Sequence, residues 1–412
     1  MLSTVKDLKW LYFDLNSYFA TIEQQVDPSI RKKPVVVVPL LTDYTCAIAA
    51  SYEAKLIGIK TGTKIYEAKK IYPELICRPA QHQLYVKYHK LIFAEINKLL
   101  YIDHVCSIDE GAGRLTGKYQ QEEEAILLAQ NIKQAIKDNV GDYITCSIGI
   151  APNKYLAKIA AEMKKPDGLT VIRDSDIPNK LFSMTLRDIP GVGYKMHNRL
   201  HLANIDNVEK LYECSSGKLQ AIWGSVHGKK LWYLLRGHEL SEYAVQNRMM
   251  GHSRILAPEL RNAKAARDVA IELIQKAAKR LRNESLYSTA IGLYLKTVNK
   301  VVYKTYVKIT PTCDSTIILT QLLNIWDRLV RDNKINNLYQ VSVALSGLIE
   351  KPRQLTFEEL NTLPNNKISS ALDIINNKYG KSIISIGMLP TPREQPIAFA
   401  NIPGAEGKEY LN

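Results

Sequence analysis

Two acidic stretches, far apart in the chain, constrain what it can fold into more than any other feature. Cys106-Ser107-Ile108-Asp109-Glu110-Gly111 sets two adjacent carboxylates against a glycine, and Leu11-Tyr12-Phe13-Asp14-Leu15-Asn16 ends an apolar, aromatic-rich run in a third acid. Trp10 to Phe13 has the pattern of a strand buried on both faces. From Ser17 the pattern turns helical, with Phe19, Ile22, Glu23 and Val26 at helix spacing, and Ser17 is a candidate N-cap whose hydroxyl can accept an early backbone N–H. Asp14 thus stands at a strand end beside a helix start, a place suited to an ion or a phosphate. Asp103 to Ile108 reads as a strand running into Asp109-Glu110. Adjacent residues on a regular strand point to opposite faces, so neighbouring acids share a metal pair only where the strand bends or ends. Gly111 and Gly113 are expected to permit that departure. Asp14 taken singly is more often an ordinary turn residue; together Asp14, Asp109 and Glu110 are read as converging on two Mg²⁺ ions.

Around these stretches the pattern is that of a small sheet with helices. Lys33 to Pro39 is a short buried strand, and Tyr52 and Lys55 lie at i and i+3, which on a helix gives them one face. A tyrosine and a cation on one face suit a triphosphate, and equally an ordinary surface pair. Residues 28–82 read as a mixed insertion. Helices follow over Leu84–Leu100 and Glu122–Val140, then an alternating strand over Tyr143–Ile150 and a helix over Lys154–Met163 that stops at Lys164-Lys165-Pro166-Asp167-Gly168. The order predicts an α+β sheet with its helices on one face.

Asp188-Ile189-Pro190-Gly191-Val192-Gly193-Tyr194-Lys195 changes the character of the chain. It joins two helical stretches by a glycine hairpin, and such a turn offers successive backbone N–H groups to a DNA phosphate without reading sequence. Trp223-Gly224-Ser225-Val226-His227-Gly228-Lys229-Lys230 is a weaker echo. Either hairpin alone could be a plain corner between helices. Leu240–Asn247 reads as a linker, and Gly251-His252-Ser253-Arg254 opens a second α+β domain of strands alternating with helices. Between Gln246 and Pro352 there are 17 Lys or Arg against 8 Asp or Glu.

Composition sets the outer limits. The 412 residues suffice for about three domains. The formal charge of +14, from 55 Lys and Arg against 41 Asp and Glu, favours an anionic partner, nucleic acid being the commonest, and equally fits a merely basic soluble protein. The six cysteines form no CxxC pair, which argues against a zinc site or a disulfide framework and for free thiols in a reducing cytosol. Without a signal core at Met1–Asp7 or an apolar run of membrane length, the expectation is a soluble, cytoplasmic protein that contacts no membrane.

Taken jointly and in this order, Asp14-Leu15-Asn16-Ser17-Tyr18-Phe19-Ala20, Ser51-Tyr52-Glu53-Ala54-Lys55, Ser107-Ile108-Asp109-Glu110, Lys165-Pro166-Asp167-Gly168, Ile189-Pro190-Gly191-Val192-Gly193 and Gly251-His252-Ser253 resemble the Y-family (translesion) DNA polymerases, and within them the bacterial polymerase IV or DinB group. The resemblance covers nearly the whole chain. It implies a multidomain right-hand architecture: palm over 1–27 and 83–175, fingers over 28–82, a helix-hairpin-helix thumb over 176–240, a linker over 241–249, a DNA-binding little finger over 250–352 and a tail over 353–412.

The resemblance also implies residue roles. Asp14 and Asp109 would hold both Mg²⁺ ions, Glu110 the catalytic one, and the Leu15 carbonyl the nucleotide-bound one. Tyr18, Phe19, Tyr52, Lys55 and Lys165 would meet the dNTP, Phe19 as a steric gate against a ribose 2′-OH. Gly191, Gly193, Lys195, Gly251 and Arg254 would meet primer-template DNA, and Gln354-Leu355-Thr356-Phe357 a sliding clamp. The implied enzyme is a monomeric, error-prone DNA polymerase of low processivity. The sequence departs from the family at Ala112-Gly113-Arg114, where an aromatic, an aliphatic and an acid are usual, at Lys55 in place of arginine, and at Asn16 in place of a frequent aspartate. Two other classes compete with this reading. A non-catalytic DNA-binding subunit has no chemical reason to keep all three acids. A metal-dependent nuclease does not need a gate aromatic or a triphosphate-binding Tyr/Lys set.

Overall fold

The computed structural model describes residues 8–240, 249–333, 335–350 and 367–379, with 384 and 386. They fall into two compact units, one ending at Leu240 and one beginning at Met249. Most of the expected linker and the Gln354–Phe357 segment lie outside the described residues.

In the first unit β1 (Trp10–Leu15) leads into α1 (Tyr18–Val26). The insertion is a three-stranded sheet of β2 (Val35–Val38), β3 (Ala49–Ala50) and β4 (Ile76–Pro79), with α2 (Tyr52–Leu56), α3 (Ile65–Ile71) and a core of its own around Val36, Val38, Ile59 and Ile65. There follow α4 (His82–Leu99), β5 (His104–Val105), β6 (Glu110–Arg114), α5 (Glu122–Asn139), β7 (Cys146–Ala151), α6 (Lys154–Met163) and β8 (Leu169–Val171). The central sheet has the order β5-β6-β1-β7-β8, antiparallel except for the β7–β8 pair.

The expectation that helices cover one face of this sheet is corrected. Leu11, Phe13, Leu15 and Ile148 pack with α4 and α5, whereas Trp10, Tyr12 and Ala112 pack with α6. Alternation along β1 and β7 is therefore between two buried faces, and all six residues of each strand are buried. The small residues of α6, Ala157, Ala160 and Ala161, permit the close approach: a Cβ on Gly149 of β7 would meet the Ala157 carbonyl oxygen at 2.0 Å.

The α6 core continues without a break into a helical segment of α7 (Asn179–Phe182), α8 (Tyr194–Leu202), α9 (Val208–Glu213), α10 (Ser216–Trp223) and α11 (Val226–Leu234), through Leu181, Leu200, Leu211 and Leu219. Both glycine hairpins are here. Gly191, at φ +91°, precedes α8, and Gly224, at φ +66°, separates α10 from α11.

The second unit runs β9 (Met249–Ile255), α12 (Ala263–Asn283), β10 (Leu286–Thr297), β11 (Val302–Thr312), α13 (Ser315–Asp332) and β12 (Leu338–Ser346). Its sheet has the order β11-β10-β12-β9, and both helices pack on one face of it. Asn262 and Asp314 cap the helices by accepting early backbone N–H groups. A helix over Lys367–Tyr379, in the stretch expected to be a tail, is tied to this unit by Arg282, which binds Asp373 at 2.6 and 2.9 Å. All six cysteines are free thiols, and among the described residues no helix is long and apolar enough to cross a membrane.

Candidate active site

The acids meet at the C-terminal end of β1. Asp14 pairs with Glu110 across the β1–β6 ladder, and the Leu15 N–H donates to the Asp109 carbonyl at 2.8 Å. The expected strand over Asp103–Ile108 is corrected here: it ends after Val105, and the chain turns before the acids, not after them. The N–H groups of Cys106 and Ser107 both donate to the Glu110 carbonyl, at 2.9 and 3.1 Å, while the buried His89 ring lies 2.8 Å from the Ile108 carbonyl. Gly111 and Gly113 are ordinary members of β6, needed for room, not for a bend. A Cβ on Gly111 would lie 2.4 Å from the Phe13 ring, and one on Gly113 2.4 Å from the Tyr101 carbonyl. Arg114, in the place of the family's acid, stacks 4.6 Å from the centre of the Trp10 ring and pairs with Glu239 at 2.7 Å.

The four carboxylates near this point differ in their surroundings. Asp14 is 6% exposed and pairs with Lys165 Nζ at 2.8 Å; Lys165 also reaches Glu162 at 2.7 Å. Glu110 accepts from Lys158 Nζ at 2.6 Å and from Tyr12 Oη at 3.0 Å. Oxygens of Asp14, Glu110 and Glu162 come within 4.8 Å of one another. Asp109 is not in that group; its carboxylate accepts the hydroxyl of Ser107 in the turn. Burial lifts the Asp14 carboxyl to about 8, against the opposing pull of Lys165 and with a further push from Glu110. Burial raises Asp109 too, opposed by the Ser107 hydrogen bond. Burial would also raise Glu110, but hydrogen bonds from Asp14, Lys158 and Tyr12 outweigh it and hold that group low. A carboxylate set with desolvated charge and oxygen-only donors is chemistry that fits a hard divalent cation.

Beside the acids, Lys55 Nζ lies 4.5 Å from the centre of the Tyr52 ring, as the shared helix face predicts, and donates to Ser17 Oγ at 2.7 Å. Ser17 is thereby corrected: it takes a left-handed φ of +47° and makes no capping bond, its hydroxyl being used by Lys55. Burial and the charge of Lys165 depress the Lys55 ammonium. Phe19 is half-buried and stacks on Tyr85, 4.4 Å between ring centres and 21° apart. Tyr18, expected to meet a nucleotide, is instead buried with its hydroxyl on the Tyr85 carbonyl at 2.7 Å, so its side chain faces the core.

Lys158, Glu162 and Lys164 line a cleft of about 860 Å³ together with Arg187 and the Gly191–Gly193 hairpin. Tyr155 of α6 donates to the Pro190 carbonyl at 2.7 Å and so fixes the hairpin against the site. Gly191, Gly193 and Lys195 are exposed. In the second unit Gly251 lies on β9 where a Cβ would meet the Val343 carbonyl at 2.7 Å. Arg254 is corrected as a DNA contact. It is buried against α12, bound to both oxygens of Glu272 at 2.8 and 2.9 Å, because alternation turns it to the helix-covered face. Sequence reasoning missed Lys158 and Glu162. Their i, i+4 spacing on a helix between two strands was the available signal.

Comparison with known proteins places these elements together elsewhere. Family models match residues 13–162 (impB/mucB/samB family), 187–239 (DNA polymerase-iota, thumb domain) and 247–357 (impB/mucB/samB family C-terminal domain). The chain is 33% identical over 296 residues to DNA polymerase IV of Moorella thermoacetica, covering 70% of this chain and 73% of that one. It is 28% identical over 386 residues to DNA polymerase IV of Bacillus anthracis, 92% of each. Among solved structures, a Y-family DNA polymerase chimera built on Dbh matches with a TM-score of 0.71 at 25% identity, and the insertion ternary complex of Dbh DNA polymerase with 0.56 at 26%; each match covers 84% of this chain and 100% of the other.

Proposed function

The chain belongs to the impB/mucB/samB family and is a Y-family DNA-directed DNA polymerase of the translesion, polymerase IV type; from that premise we propose how its own residues divide the work. Asp14, Asp109 and Glu110, with the Leu15 carbonyl, would hold two Mg²⁺ ions. When bound, these supply charge stabilisation to the attacking and leaving oxygens of phosphoryl transfer. The raised Asp14 and Asp109 carboxyls are what a buried acid set short of positive charge would show. Asp109 would join the set by exchanging its Ser107 hydrogen bond. Glu162, within reach of Asp14, would steady Lys165.

Tyr52, Lys55 and Lys165 would hold the triphosphate, and Tyr18 would contribute only through its main chain. Phe19, backed by Tyr85, would exclude a ribose 2′-OH. The primer would run in the cleft between α6 and the Gly191 hairpin, where the start of α8 offers N–H groups to phosphate and Lys195 adds charge. Residues 1–27 and 83–175 would serve as palm, 28–82 as fingers, 176–240 as thumb and 250–352 as little finger, gripping DNA through the sheet face opposite Arg254, where Lys304 and Lys308 of β11 are exposed. A sliding clamp would bind Gln354-Leu355-Thr356-Phe357, and the enzyme would act at the bacterial nucleoid.

The observation that carries this reading is the Asp14–Lys165 pair beside Glu110, bonded to the Glu162 and Lys158 side chains that line the cleft. The test is primer extension with Mg²⁺ and dNTPs. The expected result is extension by wild type and none by Asp109→Ala. Wild-type protein that binds duplex without extending it would support an accessory subunit, and a shortened primer a nuclease.

A further inference from the structure

Asn16 is 1% exposed, yet its amide is polar on both sides. Oδ1 accepts the backbone N–H of Asp167 at 2.8 Å and the Thr145 hydroxyl at 3.1 Å, and Nδ2 donates to Ser147 Oγ at 2.9 Å. Ser147 Oγ in turn accepts the Gly168 N–H at 3.3 Å. The main chain of Asn16 is fixed as well: its N–H donates to the Thr145 carbonyl at 2.9 Å, and its carbonyl accepts the Thr21 hydroxyl at 2.7 Å. One buried amide therefore joins the end of β1, the start of β7 and the turn after α6. Lys133 holds the far side of that turn by an ion pair with Asp167 at 2.9 Å.

What the turn carries is Lys165. A lysine is a point charge on a flexible four-carbon stem, so its precision comes from a fixed backbone and fixed neighbours, not from the side chain itself. Lys165 stands two residues before the N–H that Asn16 holds, and its ammonium lies 2.8 Å from Asp14, which stands two residues before Asn16. We propose that Asn16 is a positioning residue that locks the Lys165 turn to the acid-bearing strand, and so sets where the ammonium meets the phosphates of the incoming nucleotide. This rests on the reading of Lys165 as a triphosphate contact.

The requirement at position 16 is for an acceptor facing the Asp167 N–H. Aspartate satisfies it, since the Ser147 hydroxyl, already 3.4 Å from Oδ1, can turn to donate. Leucine, of similar size, does not, and leaves the Asp167 N–H without that acceptor.

The test is steady-state dNTP incorporation by Asn16→Leu, Asn16→Asp, Lys165→Ala and the Asn16→Leu/Lys165→Ala double variant. The expected results are a KM for dNTP about tenfold higher in Asn16→Leu with kcat within about threefold of wild type, and a KM within about twofold of wild type in Asn16→Asp. The double variant should be no worse than Lys165→Ala alone, because both changes remove one interaction. A fall in kcat at unchanged KM, or multiplying effects in the double variant, would overturn the proposal. If Asn16→Leu does not fold, Thr145→Val removes one of the amide's partners. It should raise KM about threefold on the wild-type background and not on Lys165→Ala; an equal effect on both would overturn it. An unchanged KM in Lys165→Ala would reject the triphosphate reading itself, an outcome separate from failure of the Asn16 arm.

Discussion

Replacing Gly113 with alanine puts a methyl carbon 2.4 Å from the Tyr101 carbonyl oxygen and 2.8 and 2.9 Å from two carbons of Leu100. Contacts that short must open, and the first partner is backbone, so β6 or the segment before β5 has to move. Overpacking of this kind costs about 1–3 kcal/mol, and a backbone partner puts Gly113→Ala at the upper end. Gly111→Ala meets the Phe13 ring, at 2.4 and 2.8 Å, which is buried but can tilt against Phe93, so about 1–2 kcal/mol is expected. Gly217→Ala is the control. It lies inside α10 with nothing within 4 Å, and should stabilise by about 0.5–1 kcal/mol. The assay is the urea midpoint and slope for each variant. Phe13 immediately precedes Asp14, so Gly111→Ala should also slow nucleotide incorporation. A Gly113→Ala protein as stable as wild type would refute the close-packing account of the Gly111–Arg114 run.

Phe19→Ala should admit ribonucleotides, lowering sugar discrimination about tenfold or more in single-nucleotide incorporation; unchanged selection would show that the stacked ring is only core. Gly191→Glu adds a side chain at φ +91° and a negative charge at the hairpin, and should weaken primer-template binding about tenfold while ion binding to the acids persists. Burial would raise the Glu272 carboxyl, but hydrogen bonds from Arg254 and Lys276 hold it down at about 2. Its contribution to stability is thus complete above its ordinary 4.5 and is lost as pH falls from there towards about 2. Glu272→Gln should flatten that acid limb in thermal melts, and Arg254→Ala should cost about 3–5 kcal/mol without changing the salt dependence of DNA binding.

Much of this fold is legible in the sequence because local signals and burial agree. Lys154–Met163 has helical spacing and a Pro/Gly stop after it, and α6 occupies that range, with Asn153 capping its start. The Tyr52/Lys55 pair follows from helix spacing alone. What was not legible depends on partners distant in sequence. The turn at Cys106–Asp109 is held by two N–H groups converging on one carbonyl and by His89 from another helix. Gly111 and Gly113 carry the composition of a bend, yet they are strand residues selected by what lies above them. Arg254 is basic and follows a family motif, but the phase of β9 turns it inward, and only the pairing of β9 with β12 fixes that phase. Glu162 and Asn16 belong to the site through contacts across three elements, which no local spacing reports.

Asp14, Asp109 and Glu110 are proposed to hold two divalent ions together. Counting Mn²⁺ ions by electron paramagnetic resonance, in a ternary complex with dideoxy-terminated primer-template and the next dNTP, tests it directly. Two bound ions per chain are expected in wild type and in Glu162→Gln, and fewer in Asp109→Ala. Two ions retained in Asp109→Ala, with one lost in Glu162→Gln, would contradict it and assign the third ligand to Glu162.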